Sequence, residues 1–109
     1  MSTTPLSHAI LLALADQDRH GYGIIKEVER QTDGALAPGT GTLYAALQRL
    51  QADGFIADSE RVPGTGEDQR RKYYRLTEAG REAAREETLR LARLVAVARE
   101  KDLVTGAEA

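Results

Sequence analysis

The stretch Pro38-Gly39-Thr40-Gly41-Thr42-Leu43-Tyr44-Ala45-Ala46-Leu47-Gln48-Arg49-Leu50 decides how this chain folds. It begins with residues that break regular structure and continues with Leu43, Leu47 and Leu50, whose helical spacing puts them on one face. The rest of that helix carries polar and aromatic side chains: Thr40, Thr42, Tyr44, Gln48 and Arg49. Side chains of these types bond phosphates and base edges when a helix end enters a DNA groove, so they are candidate DNA contacts.

A second interpretation of this helix needs no DNA, because Thr40 could cap the helix and Tyr44 could pack inward. The sequence that follows favours the first interpretation, since a strand, a basic turn and a second strand come in the order expected of a winged helix. A helix N-terminus attracts phosphate, and the amide of Gln48 matches an adenine edge best.

Composition bounds the classes of protein that are compatible with this chain. Its 109 residues suffice for one domain with a modest core, so a helix left over at one end needs a partner. The absence of cysteine excludes disulfides, thiolate metal sites and cysteine nucleophiles. No signal peptide is recognisable, and the apolar run Ala9 to Ala15 is too short to cross a bilayer. We therefore expect a soluble, cytoplasmic protein without membrane contact.

The net charge of -2 argues mildly against nucleic-acid binding, although placement of charge matters more than its sum. Residues 1–37 carry three basic and five acidic side chains, residues 38–76 six and five, and residues 77–109 six and seven. Only the middle segment has a positive balance, and Arg70-Arg71-Lys72 is its one cluster. This distribution supports the DNA interpretation weakly.

The patterns predict a mainly α (α+β) chain. Three helices are expected first, from Pro5 to near Asp16, from about His20 to Gln31 and from about Thr40 to Asp53. Strands over Phe55–Val62 and Arg71–Leu76 should flank a loop rich in turn formers, Pro63–Gln69. Thr77 caps a last helix that continues to about Lys101. The prediction is a winged helix-turn-helix domain with a two-stranded β wing, residues 1–76, and a long C-terminal dimerisation helix with a frayed tail, residues 77–109.

The basic cluster Arg70, Arg71 and Lys72 lies at the base of the predicted wing loop. There it could follow a phosphate backbone or enter a minor groove. The alternative is a solvated basic turn balanced by Glu67 and Asp68, two acids that would repel phosphate unless they point away. We therefore expect the basic strand side to make the contacts.

Histidine chemistry is the only hint of catalysis, and the sequence does not support it. His20 in His20-Gly21-Tyr22-Gly23 has no cysteine or serine at a suggestive spacing, and His8 lies inside an apolar stripe. We expect His20 to cap the second helix and Tyr22 to pack. With no P-loop, dinucleotide fingerprint or HExxH, the chain is predicted to be no enzyme and to use no metal or cofactor.

The last helix is apolar on most of its circumference from Leu89 to Ala98, interrupted mainly by Arg90 and Arg93. A helix that covers one core needs a single apolar stripe, so this girdle predicts two neighbours, its own domain and a second copy. Residues at three- and four-residue steps suit a coiled-coil-like dimer contact: Ala84, Thr88, Leu91, Val95 and Ala98. The alternative is packing within the monomer only.

Several local patterns together carry a resemblance. They are Leu6-Ser7-His8-Ala9-Ile10-Leu11, His20-Gly21-Tyr22-Gly23-Ile24, Gly41-Thr42-Leu43-Tyr44 running on to Asp53-Gly54-Phe55-Ile56, Arg71-Lys72-Tyr73-Tyr74-Arg75-Leu76-Thr77 and Ala79-Gly80-Arg81. With them, the chain resembles the PadR family of transcriptional regulators over roughly residues 6 to 82. The segment Pro38-Gly39-Thr40 departs from the family pattern.

The resemblance implies a winged helix-turn-helix homodimer that binds double-stranded DNA at a palindromic operator and usually represses. By position, Thr42 and Tyr44 match the groove-facing helix start, and Arg71 and Lys72 match the basic wing strand. The short last helix resembles a compact branch whose members bind flat aromatic ligands between subunits. This chain has no aromatic residue after Tyr74, so a small-molecule effector stays unidentified. The alternative function is a winged-helix protein-interaction module that has lost DNA binding.

Overall fold

The computed structural model describes residues 3–61, 64, 66 and 70–105. These residues form four helices and a small antiparallel sheet of three strands, which confirms the α+β class. The elements in chain order are α1 (Pro5–Ala13), β1 (Arg19–His20), α2 (Gly21–Gln31), α3 (Thr40–Ala52), β2 (Ile56–Asp58), β3 (Tyr73–Leu76) and α4 (Glu78–Glu100).

Side-chain caps fix where the first and last helices begin. The Thr4 hydroxyl oxygen accepts a hydrogen bond from the backbone N–H of Ser7 at 3.1 Å, and Pro5 occupies the first turn of α1. Thr77 does the same for Gly80 at 3.0 Å while its own hydroxyl donates to the carbonyl of Gly54 at 2.7 Å. Both predicted starts are confirmed, because each cap satisfies a backbone donor that would otherwise be unpaired.

The ends of the elements differ more from prediction. Helix α1 ends at Ala13 rather than near Asp16, and the Arg19 guanidinium donates to the Ala13 carbonyl at 2.7 Å, which satisfies an acceptor at this helix end. Helix α3 ends where predicted, since Gly54 adopts φ +79°, a conformation that glycine reaches without strain.

The sheet has a third strand that the sequence does not predict. The order is β1-β3-β2, with β3 in the centre. Two residues suffice for β1, whose Arg19 and His20 pair with Tyr74 and Tyr73. The strands β2 and β3 of the wing are shorter than predicted, with Ile56 paired to Leu76 at the end away from the connecting loop. The pairing of β1 with β3 ties the wing directly to the start of α2.

One core holds the helices and the sheet together. Its fully buried side chains come from the first three helices: Ile10, Leu11, Ile24, Val28, Leu43 and Leu47. The first turns of α4 share this core, because Ala84 is 6% exposed and packs into the same cluster. A side chain at Gly80 would overlap the backbone carbonyl of Phe55, so only glycine allows α4 to approach so closely.

Some predicted features lie outside the described residues. They are the strand end at Val62, most of the loop, including Glu67 and Asp68, and the tail residues 106–109. Within the described part of the chain, no helix combines the length and the apolar character that crossing a membrane requires.

His8 is a buried histidine where α1 packs on α4. The Thr88 hydroxyl donates to the Ala84 carbonyl at 2.8 Å, so at 3.3 Å from His8 it can accept only from an Nε2–H. Nδ1 of His8 is buried and has no hydrogen-bond partner among the described residues. Burial lowers the pKa of His8 below its ordinary 6.5; the Glu87 carboxylate opposes this shift and Arg90 adds to it.

We predict that His8 makes the fold less stable in acid. Because its folded-state pKa is depressed, its stabilising contribution is complete above the ordinary 6.5 and is lost as the pH falls through that value toward the folded pKa. His8→Gln keeps an N–H donor for Thr88 but cannot titrate, so it should flatten this decline. Urea unfolding of both proteins at about pH 8 and about pH 5 tests it. A parent–variant difference that is the same at both pH values contradicts the assignment.

Candidate nucleic-acid interface

Helix α3 separates a buried face from an exposed one, as its leucines predict. Leu43, Leu47 and Leu50 are buried together with Ala46. All five polar and aromatic candidates on this helix are exposed: Thr40, Thr42, Tyr44, Gln48 and Arg49. The helix N-cap is Gly39, which offers no side chain to the first backbone N–H groups. The alternative in which Thr40 caps the helix is therefore wrong.

Tyr44 does not enter the core, so the alternative of an inward-packed ring is also wrong. The side chain is 43% exposed, and its ring lies across the first turn of α2. The ring carbon Cζ would be 2.9 Å from a Cβ atom at Gly21. The phenol hydroxyl is nearer still, so Tyr44 brings α3 into contact with the start of α2.

The α3 candidates divide between two flanks of the helix. Tyr44 lies on the flank that faces α2 and the wing. Arg49 lies on the other flank, in a pocket of about 340 Å³ that it shares with Thr3, Asp53 and Phe55 near the start of α1. At 3.6 residues per turn, five residues leave an angle of about 140° around the helix axis, which puts these two side chains on different sides. Gln48 occupies the exposed surface between them.

The basic strand residues lie beside Tyr44. A shallow cleft of about 120 Å³, which we call the wing cleft, is lined by His20, Gly21, Tyr22, Tyr44, Arg71 and Lys72. Arg71 and Lys72 are exposed, and Arg71 Nη1 is 2.9 Å from Nε2 of His20. The β1–β3 pairing explains this proximity, because it fixes the start of β3, directly after Arg71 and Lys72, next to the first turn of α2.

Asp58, which is not among the candidates predicted from the sequence, lies beside Lys72 of the wing. Asp58 on β2 accepts from Lys72 Nζ at 3.1 Å, and this hydrogen bond raises the pKa of Lys72. The ammonium also lies 5.5 Å from the centre of the Tyr74 ring. Lys72 thus stays charged, but a neighbouring carboxylate offsets part of its field. Both side chains are more than half exposed, so solvent screens the pair.

His20 has the structural role that the sequence predicts. Its Nδ1 accepts a hydrogen bond from the Gly23 N–H at 3.0 Å and so caps α2, and its ring packs edge-on against Tyr73 at 5.2 Å. Across the described ranges, no group of three or more His, Asp or Glu side chains is arranged to hold a metal ion.

The expectation that Tyr22 packs is wrong. The side chain is 56% exposed, with the Lys26 ammonium 5.3 Å from its ring centre. The buried residues of α2 are Gly21, Ile24 and Val28, so the residue directly after Gly21 points to solvent. Tyr22 therefore adds an aromatic side chain to the rim of the wing cleft.

Comparison with known proteins identifies the family. The model of the "Transcriptional regulator PadR-like family" matches residues 10–86. This chain belongs to the PadR-like family. It is 37% identical to Transcriptional regulator Rv3488 of Mycobacterium tuberculosis over 78 residues, 72% of this chain and 67% of that protein. A 37.1 kDa transposon protein of Streptomyces fradiae is also 37% identical over 94 residues, 86% of this chain, but the chain spans only 25% of its length.

Solved structures agree with the family assignment. A transcriptional regulator from Clostridium thermocellum superposes with a TM-score of 0.70 at 29% identity, covering 87% of each chain. Bacillus subtilis PadR, whose structure was solved in complex with operator DNA, superposes with a TM-score of 0.65 at 25% identity, covering 78% of this chain and 47% of that one. The family comprises transcriptional regulators rather than enzymes.

The α4 helix of this PadR-like chain carries several exposed apolar residues. The exposed fractions of the large side chains along its second half are Leu89 54%, Leu91 38%, Leu94 52% and Val95 36%. Leu89 and Leu94 lie outside the predicted dimer stripe, because that stripe follows a single line of three- and four-residue steps. Ala98 is half-buried.

The start of the predicted dimer stripe belongs to the monomer instead. Ala84 is buried in the core of its own chain, which removes its side chain from any contact with a second copy. Thr88 is exposed, but its hydroxyl donates to the Ala84 carbonyl within the same helix. Next to them, Leu12 of α1 and Leu89 border a groove of about 390 Å³ between the two helices.

We predict that His20 contributes to stability through its cap. His20→Ala should lower the free energy of unfolding by about 1 kcal/mol, because the N-cap acceptor is removed. His20→Asn provides a side-chain oxygen for the Gly23 N–H and should recover most of that stability. Urea unfolding of the two variants and the parent measures this difference, and equal destabilisation by alanine and asparagine contradicts the cap assignment.

Proposed function

We propose that this PadR-like chain is a sequence-specific DNA-binding regulator that represses transcription in the cytoplasm, as a homodimer on a palindromic operator. The observation that carries the proposal is the wing cleft, where α3, the start of α2 and the basic residues directly before β3 meet on one surface. The operator complex of Bacillus subtilis PadR supports the same partner for this chain. That the protein represses rather than activates transcription rests on the family resemblance.

In this proposal the first turns of α3 enter the major groove. Its polar side chains Thr40, Thr42 and Gln48 are exposed, and no side chain caps its first N–H groups. Uncapped N–H groups and the positive end of the helix dipole favour a nearby phosphate. Gln48, on the exposed surface, can form two hydrogen bonds with an adenine edge. Arg49 lies on the opposite flank of α3 and, in this proposal, contacts the phosphate backbone of the other DNA strand.

The wing supplies phosphate contacts that do not depend on sequence. Arg70, Arg71 and Lys72 are all exposed, and two of them line the wing cleft with Tyr44. Arginine and lysine at such positions bind phosphate oxygens and fix the register of the protein on the duplex. Each phosphate contact releases condensed counterions, so affinity should fall steeply as salt rises.

We predict that replacing Arg71 and Lys72 by alanine weakens binding to all duplexes alike. The slope of log affinity against log salt should flatten by about 2, because two phosphates are no longer neutralised by the wing. Fluorescence anisotropy with operator and unrelated duplexes over a range of salt measures both effects. Arg99→Ala with Lys101→Ala is the matched control, because it also removes one arginine and one lysine, but at the far end of α4. If the wing variant binds with the parent's affinity and slope, the wing assignment is wrong.

The homodimer is proposed from the second half of α4. Its exposed leucines lie outside the core that the described residues form, and a second copy would cover them. A two-fold dimer presents two α3 helices to half-sites about one helical turn apart, which is why a palindromic operator accompanies this proposal. The dimer contacts proposed are Thr88, Leu91, Val95 and Ala98 from the predicted stripe, together with Leu89 and Leu94.

We predict that Leu91→Glu or Val95→Glu produces monomers and lowers operator affinity at the same time. A buried, unpaired carboxylate opposes association, and a monomer reads only one half-site. Sedimentation velocity and anisotropy on the same samples measure the two effects. Leu103→Glu, at a residue that is 77% exposed beyond the end of α4, is the control that should stay dimeric. A Leu91 variant that remains a dimer rules out this interface.

A second candidate function is a protein-interaction module that has lost DNA binding. The ion pair of Asp58 with the wing lysine and the net charge of -2 favour it. Duplex binding at low salt separates the two candidates, because an interaction module would bind no duplex even there. A possible small-molecule effector stays unidentified, since α4 carries no aromatic ring on which a planar ligand could stack.

A further inference from the structure

We infer that Gly21 is a positioning residue for DNA contact: because it has no side chain, Tyr44 lies across the start of α2 and presents its hydroxyl at the wing cleft. Gly21 touches Tyr44 and lines the same cleft. This inference rests on the proposed DNA-binding function. It adds Gly21 to the residues that determine DNA contact, although Gly21 has no side chain that could bind DNA itself.

The backbone of Gly21 does not explain why the residue is glycine. It begins α2 and is not among the glycines with positive φ, so any L-residue fits its backbone conformation. Glycine within a helix is also less favourable than alanine, because it loses more conformational freedom on folding. The reason must therefore be the space that a side chain would fill.

That space is occupied by Tyr44. A Cβ atom at position 21 would overlap the phenol oxygen and lie 2.9 Å from Cζ and 3.5 Å from Cε1. Carbon atoms in favourable contact are about 3.5–4.0 Å apart, so the first two approaches are too close. All three nearest atoms belong to the side chain of Tyr44, and none belongs to the backbone. Glycine at this position therefore leaves the space that the Tyr44 ring occupies.

Gly80 shows what a glycine required by the fold looks like. There the added Cβ would overlap the carbonyl oxygen of Phe55, a backbone atom that cannot move without shifting β2 and α4. At Gly21 the obstacle is the far end of a side chain that is 43% exposed and can rotate into solvent. Alanine at position 21 should therefore leave the fold intact and displace Tyr44.

Displacement of Tyr44 changes the surface offered to DNA. In the observed position its hydroxyl lies beside the first turn of α2 and near Arg71 and Lys72. A phenol hydroxyl can donate to a phosphate oxygen that the two cations also attract. A ring pushed off α2 presents that hydroxyl elsewhere and fills part of the shallow cleft. Gly21 thus determines the geometry of a phosphate contact through Tyr44.

A double-mutant cycle on operator affinity tests the inference. The four proteins are the parent, Gly21→Ala, Tyr44→Ala and the double variant, compared by anisotropy at one salt concentration. Each single change should weaken operator binding roughly tenfold, within the range for residues in direct contact. The double variant should bind no more weakly than Tyr44→Ala alone, because without the ring the alanine has nothing to displace.

Gly23→Ala is the matched control. It adds the same methyl group two residues further along α2, where the nearest atom is 3.4 Å away and the contact is an ordinary one. It should bind the operator like the parent, and the thermal midpoints of all variants should show that they fold.

The outcomes distinguish this inference from the function on which it rests. If Gly21→Ala binds the operator like the parent, or if its effect adds fully to that of Tyr44→Ala, the positioning role is wrong while DNA binding stands. If the parent itself binds no duplex at low salt, the proposed function fails and the inference fails with it.

Discussion

The pairing of β1 with β3 is the contact on which the candidate interface depends. Only two residues form β1, yet their partners Tyr73 and Tyr74 belong to the central strand and are buried. This pairing fixes the basic end of the wing against the start of α2, while the core of α1, α2 and α3 fixes α3 beside the same turn. His20 serves both connections, since it caps α2 and pairs within the sheet. The wing cleft therefore lies where α3, the start of α2 and the wing are held next to one another.

Helix α4 joins the winged-helix core to the surface proposed for dimerisation. Its first turn approaches the backbone of Phe55 so closely that only Gly80 fits, and Ala84 completes the core. From Leu89 onward the same helix leaves its large apolar side chains exposed. In the proposed dimer, a helix anchored in the core at one end would couple the orientation of the partner bound at its other end to α3. That geometry is what reading two half-sites at a fixed spacing requires.

The sequence predicted those features that local chemistry determines. The periodic leucines of α3, the caps Thr4, His20 and Thr77 and the stop at Gly54 follow from residue type and spacing, and the structure confirms them. Features set by tertiary contact were missed: β1 is too short for a strand pattern, and the exposure of Tyr22 depends on which side of α2 is buried. Ala84 joins the predicted dimer stripe by spacing alone, and spacing does not reveal which side of a helix faces its own core. Likewise, the contact of Gly21 with Tyr44 joins residues that are remote in sequence.

The most direct test of the DNA-binding account is fluorescence anisotropy with a labelled duplex from upstream of the protein's own gene, beside an unrelated duplex, at a low and a moderate salt concentration. The account predicts tight binding to the first duplex, weaker binding to the second, and a decrease in affinity for both as salt rises, because phosphate contacts release counterions. Failure to bind either duplex at low salt would contradict it and would favour the interaction module.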